Sequence, residues 1–139
     1  MYYIEDVKIG QSFTHSLTVT EEIHDQFCQL SGDDSPIHTN EEFCQKTKFK
    51  KRVGYAFLLT AVLSKVYGTV FPGGSELCLK QTCNFKRPFF IGDLLSFEIE
   101  VSHKNVSTKI ITVKNRVKNQ ENSVIFTGEG ILQLSLGIV

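Results

Sequence analysis

The chain changes its hydrophobic period near the middle. Up to about residue 70 most apolar residues recur at helical spacing, and beyond that point they alternate at period two. Before the helical part, residues 12–19 (Ser-Phe-Thr-His-Ser-Leu-Thr-Val) alternate moderately and predict a strand entered through Gly10-Gln11. Thr20 then reads as an N-cap, with Glu21 and Glu22 in the first turn, where carboxylates favour the helix dipole. Ile23, Phe27 and Leu30, spaced by four and three, predict an amphipathic helix of about three turns that stops at Ser31-Gly32. Asn40-Glu41-Glu42-Phe43 repeats the start signal and predicts a short helix to about Thr47.

Residues 55–67 are apolar nearly all round, with Lys65 the only charge. A helix without a polar face is expected to be buried on all sides. In 139 residues, that implies a sheet wrapped around one central helix. Val53, Gly54, Tyr55 and Ala56 offer no side-chain acceptor for the first N–H groups of this helix. A ligand oxygen is one candidate partner, favoured by the dipole; water or a neighbouring carbonyl is the other. Gly68 is expected to end the helix, and Phe71-Pro72-Gly73-Gly74 to form a loop.

Four strands follow. Leu77, Leu79, Gln81, Cys83 and Phe85 are expected to share one face of the first, and Leu95, Phe97, Ile99 and Val101 one face of the second. Ile111, Val113 and Val117 mark the third, and Leu132, Leu134 and Leu136, alternating with Ile131, Gln133 and Ser135, mark the last. Such alternation predicts half-buried antiparallel strands. The expected architecture is α+β, a single domain over residues 1–139 in which about five antiparallel strands curl around the buried helix. A half-wrapped sheet has open edges, which dimerisation commonly covers.

Composition narrows the function classes. Lys+Arg and Asp+Glu both number 15, so bulk charge gives no reason to expect a nucleic-acid or anionic-membrane binder. No apolar run approaches the roughly 20 residues of a membrane-spanning helix. The N-terminal residues carry no basic n-region or apolar h-region, so no secretory signal is expected. Cys28, Cys44, Cys78 and Cys83 form no CxxC and no zinc spacing, and read as reduced thiols of a cytoplasmic protein. No metal or cofactor is expected.

The stretch with candidate chemistry is Leu30-Ser31-Gly32-Asp33-Asp34-Ser35-Pro36-Ile37-His38. Pro36 stiffens the link between Asp33 and His38 by fixing its own φ and restricting Ser35. The pair can be read as an acid and base that position water, or as helix punctuation with an unrelated histidine. Asp34 reads as a solvated turn residue, and His15, His24 and His103 as surface or structural. The basic run Lys48-Phe49-Lys50-Lys51-Arg52 reads as a solvated loop or as an anion contact, for instance with a phosphate-bearing carrier.

The segment Phe27–His38 resembles the hydratase signature of the MaoC-like family, which includes the (R)-specific enoyl-CoA hydratases and has the hot-dog fold. The resemblance continues through Glu42-Phe43, Thr47, Phe49 and the apolar helix. It ends with Phe85-Lys86-Arg87-Pro88-Phe89-Phe90-Ile91-Gly92-Asp93, which resembles the family's F-x-x-P-V-x-x-G-D. It favours the acid/base reading of the loop. It implies reversible addition of water to a trans-2-enoyl thioester, giving an (R)-3-hydroxyacyl thioester, by a homodimer without a cofactor. The substrate would be an acyl-CoA or an acyl-carrier-protein thioester.

The resemblance implies that Asp33 and His38 hold the catalytic water. The family's Asn two residues after the Asp falls on Ser35. Its His-Gly pair at the start of the central helix, whose Gly amide binds the thioester oxygen, falls on Tyr55-Ala56, and a helix serine falls on Ser64. Tyr55, Ala56, Ser35 and Ser64 are therefore the expected oxyanion and substrate-binding residues. Thioesterases of the same fold place a carboxylate on the central helix, and residues 55–67 hold none. A non-catalytic acyl-thioester-binding protein is the alternative from another class, and the substitutions at Ser35, Tyr55 and Ala56 are what favour it.

Overall fold

Residues 1–74 and 76–134 are described by a computed structural model of the chain. The strands are β1 (Ser12–Thr18), β2 (Glu76–Phe85), β3 (Leu94–Asn105), β4 (Ile110–Lys118) and β5 (Val124–Leu134). The helices α1 (Glu21–Ser31), α2 (Pro36–Thr39), α3 (Glu41–Gln45) and α4 (Ala56–Lys65) all lie between β1 and β2. The strands form one antiparallel sheet in the order β1-β3-β4-β5-β2. Inward residues of β3, β4 and β5, among them Phe97, Ile99, Val113 and Leu132, join Leu59 and Leu63 of α4 in one buried cluster. This is the hot-dog arrangement that the resemblance implies.

The local signals explain the helices. The Thr20 hydroxyl accepts the Ile23 amide at 3.2 Å, Asn40 accepts the Phe43 amide at 2.8 Å, and Gly32 ends α1 at φ 74°. Helix α2 has no counterpart in the expected elements. Pro36 occupies its first position, where a missing N–H costs nothing, so the residue that stiffens the loop also starts a turn of helix.

Four expectations are corrected. Helix α4 is not buried on all sides: Leu58, Leu59, Val62 and Leu63 are buried, while Ala56, Phe57, Ala61 and Ser64 are exposed, Phe57 to 66%. The sheet curls over one side of the helix only, so the apolar residues of the other side remain at the surface of a single chain. Nor does Gly68 stop the helix, which continues as a π-turn over Val66–Val70. In β2 a register shift between Cys78 and Lys80 breaks the common face, and Leu77, Leu79 and Phe85 are exposed because β2 is an edge strand. In α1 Leu30 is exposed and His24 is buried instead, drawn inward by its hydrogen bond to the His38 carbonyl. Ser135 and Leu136, expected in the last strand, lie outside the described residues. Among the described residues no helix is long and apolar enough to cross a membrane.

The turn between β2 and β3 is what carries the fold to the site. Gly92 adopts φ 96°, and Asp93 closes the turn by accepting the Phe90 amide at 3.0 Å through Oδ2. Its other oxygen accepts the Gln120 side-chain amide at 3.0 Å. The turn then grips the segment before α4: the Gly54 amide donates to the Phe89 carbonyl at 2.7 Å, and Val53 forms a bridge with Phe90. Gly54 is required there, because a Cβ would lie 2.3 Å from the buried Phe89 ring.

Candidate active site

The segment held by that turn anchors His38. The Val53 amide donates to the Ile37 carbonyl at 3.1 Å, and the Val53 carbonyl lies 2.7 Å from Nδ1 of His38. A carbonyl only accepts, so Nδ1 carries a proton and the uncharged ring presents a lone pair at Nε2. The main chain of His38 is held from the other side: Nε2 of buried His24 donates to its carbonyl at 2.8 Å.

Nε2 of His38 faces Oδ2 of Asp33 at 3.8 Å. That is too long for a direct hydrogen bond. The Asp33 side chain is 47% exposed and that of His38 15%, so one side of the gap is open. The other carboxylate oxygen, Oδ1, accepts the Ser35 amide at 3.1 Å. Hydrogen bonds from the Ser35 side chain and amide hold the Asp33 carboxyl below the usual carboxylate range. Asp33 thus presents a carboxylate oxygen, and His38 a ring nitrogen, to one small space.

Tyr55 packs behind both. Its side chain is buried, its hydroxyl donates to the Asp33 carbonyl at 2.6 Å, and its ring stacks on the His38 imidazole at 4.0 Å. Burial pushes the phenol pKa well up, so the hydroxyl stays a donor. Tyr55, expected among the substrate-binding residues, is turned inward onto Asp33 and His38. Ala56 follows as the first residue of α4, whose start carries no side-chain cap. Beside it opens a cavity of about 220 Å³ lined in part by Val53, Gly54, Leu59, Phe85 and Phe89.

The structure therefore brings Asp33, Ser35, His38 and Tyr55 together, with Ala56 adjoining. It leaves out Ser64, which sits on the exposed face of α4 about 12 Å along the helix axis from Ala56. The basic run is largely engaged by the protein itself. Arg52 pairs with Glu21 and, at 3.6 Å, with Glu41; Lys51 lies over the Phe90 ring, and Lys50 donates to the Gln45 carbonyl. A larger depression, about 600 Å³, lies on the outer side of the sheet among Glu98, Glu100, Lys114 and Arg116, away from Asp33 and His38.

Sequence periodicity missed two sets of polar residues. His24 supports His38; its place between Ile23 and Phe27 on the apolar stripe was the available signal. Tyr67, Gln81 and Asn115 form a closed ring of hydrogen bonds of 2.7–2.8 Å across the core. Asn115 interrupts the inward series Val113–Val117, and a buried amide at such a position requires partners.

Comparison with known proteins agrees with this fold. Residues 6–123 match the family model described as MaoC like domain. An (R)-specific enoyl-CoA hydratase of Rhodospirillum rubrum is 31% identical over 134 residues, which is 96% of this chain and 92% of that protein. Among solved structures, the unliganded R-hydratase PhaJ1 from Pseudomonas aeruginosa superposes with a TM-score of 0.91 at 30% identity, covering 95% of this chain and 84% of that one. An (R)-hydratase from Aeromonas caviae involved in PHA biosynthesis superposes with a TM-score of 0.90 at 28% identity, covering 94% and 99%.

Proposed function

The chain belongs to the MaoC-like family, and on that premise we propose that Asp33 and His38 form the water-holding pair of a hydro-lyase acting on trans-2-enoyl-CoA and (R)-3-hydroxyacyl-CoA thioesters. The observation that carries the reading is the 3.8 Å gap between Oδ2 of Asp33 and Nε2 of His38. An ionised carboxylate and a bare ring nitrogen are both acceptors and repel each other unless a donor lies between them. Water has two protons to give. Donating one to each group, it turns an oxygen lone pair outward, as attack on C3 of an enoyl thioester requires.

In the hydration direction the water oxygen bonds to C3 and one of its protons passes to the pair. The C2–C3 π electrons move toward the thioester carbonyl, and the resulting enolate takes a proton at C2 from the pair as it collapses. Water is thereby divided between C3 and C2 with no net change in the enzyme. The developing charge on the thioester oxygen needs a donor. The uncapped amide of Ala56 at the start of α4, beside the 220 Å³ cavity, fills that role and gains from the helix dipole. Ser35 keeps the Asp33 carboxylate ionised and oriented. The name of the Rhodospirillum relative, an enoyl-CoA hydratase, supports CoA as the carrier of the thioester.

The assignment is tested by following the enoyl absorbance of crotonyl-CoA with purified protein, with Asp33→Asn as the control. Turnover that is lost in the control supports the reading. Turnover unchanged in both Asp33→Asn and His38→Ala would sink it.

The working form is a homodimer. The edge strand β2 leaves main-chain groups unpaired and Leu77, Leu79 and Phe85 exposed; the exposed Phe57 of α4 meets Phe85 edge-on at 5.8 Å. An apolar surface beside an open sheet edge is suited to a second copy of the same surface. Light scattering should give twice the chain mass, and Phe57→Glu combined with Leu79→Lys should halve it. A monomeric parent protein would rule the dimer out.

A further inference from the structure

The loop main chain joins Asp33 to His38, since the Ser35 carbonyl accepts the His38 amide at 3.0 Å, and one residue from outside the loop touches both. His38 is tied to the Val53 carbonyl. The Asp33 carboxylate is tied to the amide of Ser35 within its own turn, which orients it. Tyr55 reaches both residues. Its hydroxyl holds the Asp33 main chain at 2.6 Å, and its ring lies nearly parallel to the His38 imidazole, 4.0 Å away at 26°. We propose that Tyr55 is a positioning residue that sets the spacing of the Asp33–His38 pair and so the fit of the water between them. The inference rests on the assignment of that pair.

The ring can act as a spacer because it is itself fixed. The residue is 2% exposed, and His24 and Phe27 of α1 pack against it at centroid distances of 4.7 and 4.9 Å. The same buried ring is thus wedged between α1, the Asp33 loop and α2. A direct catalytic role does not suit it: the hydroxyl proton is committed to a backbone carbonyl. The Asp33 carbonyl also lies 3.4 Å from the Cys28 thiol, so removing the Tyr55 hydroxyl leaves that acceptor a weaker partner and gives the variant a route to fold. Tyr55→Phe separates the tether from the stack, and Tyr55→Leu removes both.

Two readouts test the proposal on the whole protein. With crotonyl-CoA, Tyr55→Phe is expected to lower kcat about 10-fold and Tyr55→Leu about 100-fold, the scale of a misplacement near 1 Å, with KM little changed and unfolding still cooperative. Independently of turnover, the 15N signals of the His38 ring should respond to Asp33→Asn in the parent background and lose that response in the Tyr55→Leu background. Parental kcat in both Tyr55 variants, a loss confined to KM, or a His38 response that survives Tyr55→Leu overturns the proposal. If the parent does not hydrate crotonyl-CoA, the thioester reading fails for that substrate and the ring signals alone decide the positioning role.

Discussion

The dipeptide Gly-Asp occurs twice in this chain, each time with the glycine in the left-handed region, at φ 74° for Gly32 and 96° for Gly92. The two carboxylates meet different fates. Both oxygens of Asp93 are occupied, one by the Phe90 amide and the other by the Gln120 side chain, and the residue is nearly buried. Asp33 gives one oxygen to Ser35 and leaves the other facing His38 across an open gap. The first arrangement closes a turn and seats the segment that anchors His38. The second leaves an acceptor unspent, which chemistry requires. The difference is one of partners, since the residue types and the left-handed glycine are the same.

Exchanging the two carboxylates in turn tests that contrast. The largest effect is expected at Asp33: Asp33→Asn should lower kcat at least ~100-fold, the scale of a positioned acid or base, with folding intact. A parental kcat would erase the distinction between the two turns. At Asp93 the pattern should reverse. Asp93→Ala leaves the Phe90 amide without its partner and should cost about 1–3 kcal/mol in urea unfolding, while kcat per folded molecule stays within a few-fold. A collapse of kcat in a fully folded Asp93→Ala protein would show that this turn does more than hold the loop.

The smallest effect concerns pH. The hydrogen bonds from Ser35 favour the charged carboxylate, so the Asp33 pKa lies below its unfolded value. The associated stability is present above the unfolded pKa, near 3.9, and is lost as pH falls through the lower folded value. Ser35→Ala removes the hydroxyl and keeps the amide. The Asp33 carboxyl, followed by 13C NMR, should then titrate at higher pH than in the parent, and the acid limb of kcat/KM should move the same way. A shift to lower pH would contradict the role given to Ser35.

Much of this was legible in the chain. Thr20, Asn40 and Gly32 mark helix ends through interactions with their immediate neighbours, and those local rules held. The period-two alternation of Leu95–Val101 reports a strand with one buried face. The motif from Leu30 to His38 pointed to Asp33 and His38, because a short loop keeps its residues near one another whatever the rest of the fold does. The register shift in β2 was not legible, since a bulge depends on how the neighbouring strand pairs.

Apolar composition determined that α4 would need cover, but not that a single chain covers only one side of it. Which face the sheet meets is set by strand order and curl, and that leaves Phe57 and Phe85 outside. The resemblance alone admitted Ser64 to the site and assigned Tyr55 to the substrate. Packing separated them, because Ser64 is two turns along the exposed face while Tyr55 is turned inward onto Asp33 and His38. The sequence by itself determined the elements and the chemical groups, whose causes lie within a few residues. Only the tertiary structure decided which of those groups keep a free atom, because that depends on partners brought in from distant parts of the chain: Val53 for His38, Tyr55 for Asp33, and Gln120 for Asp93.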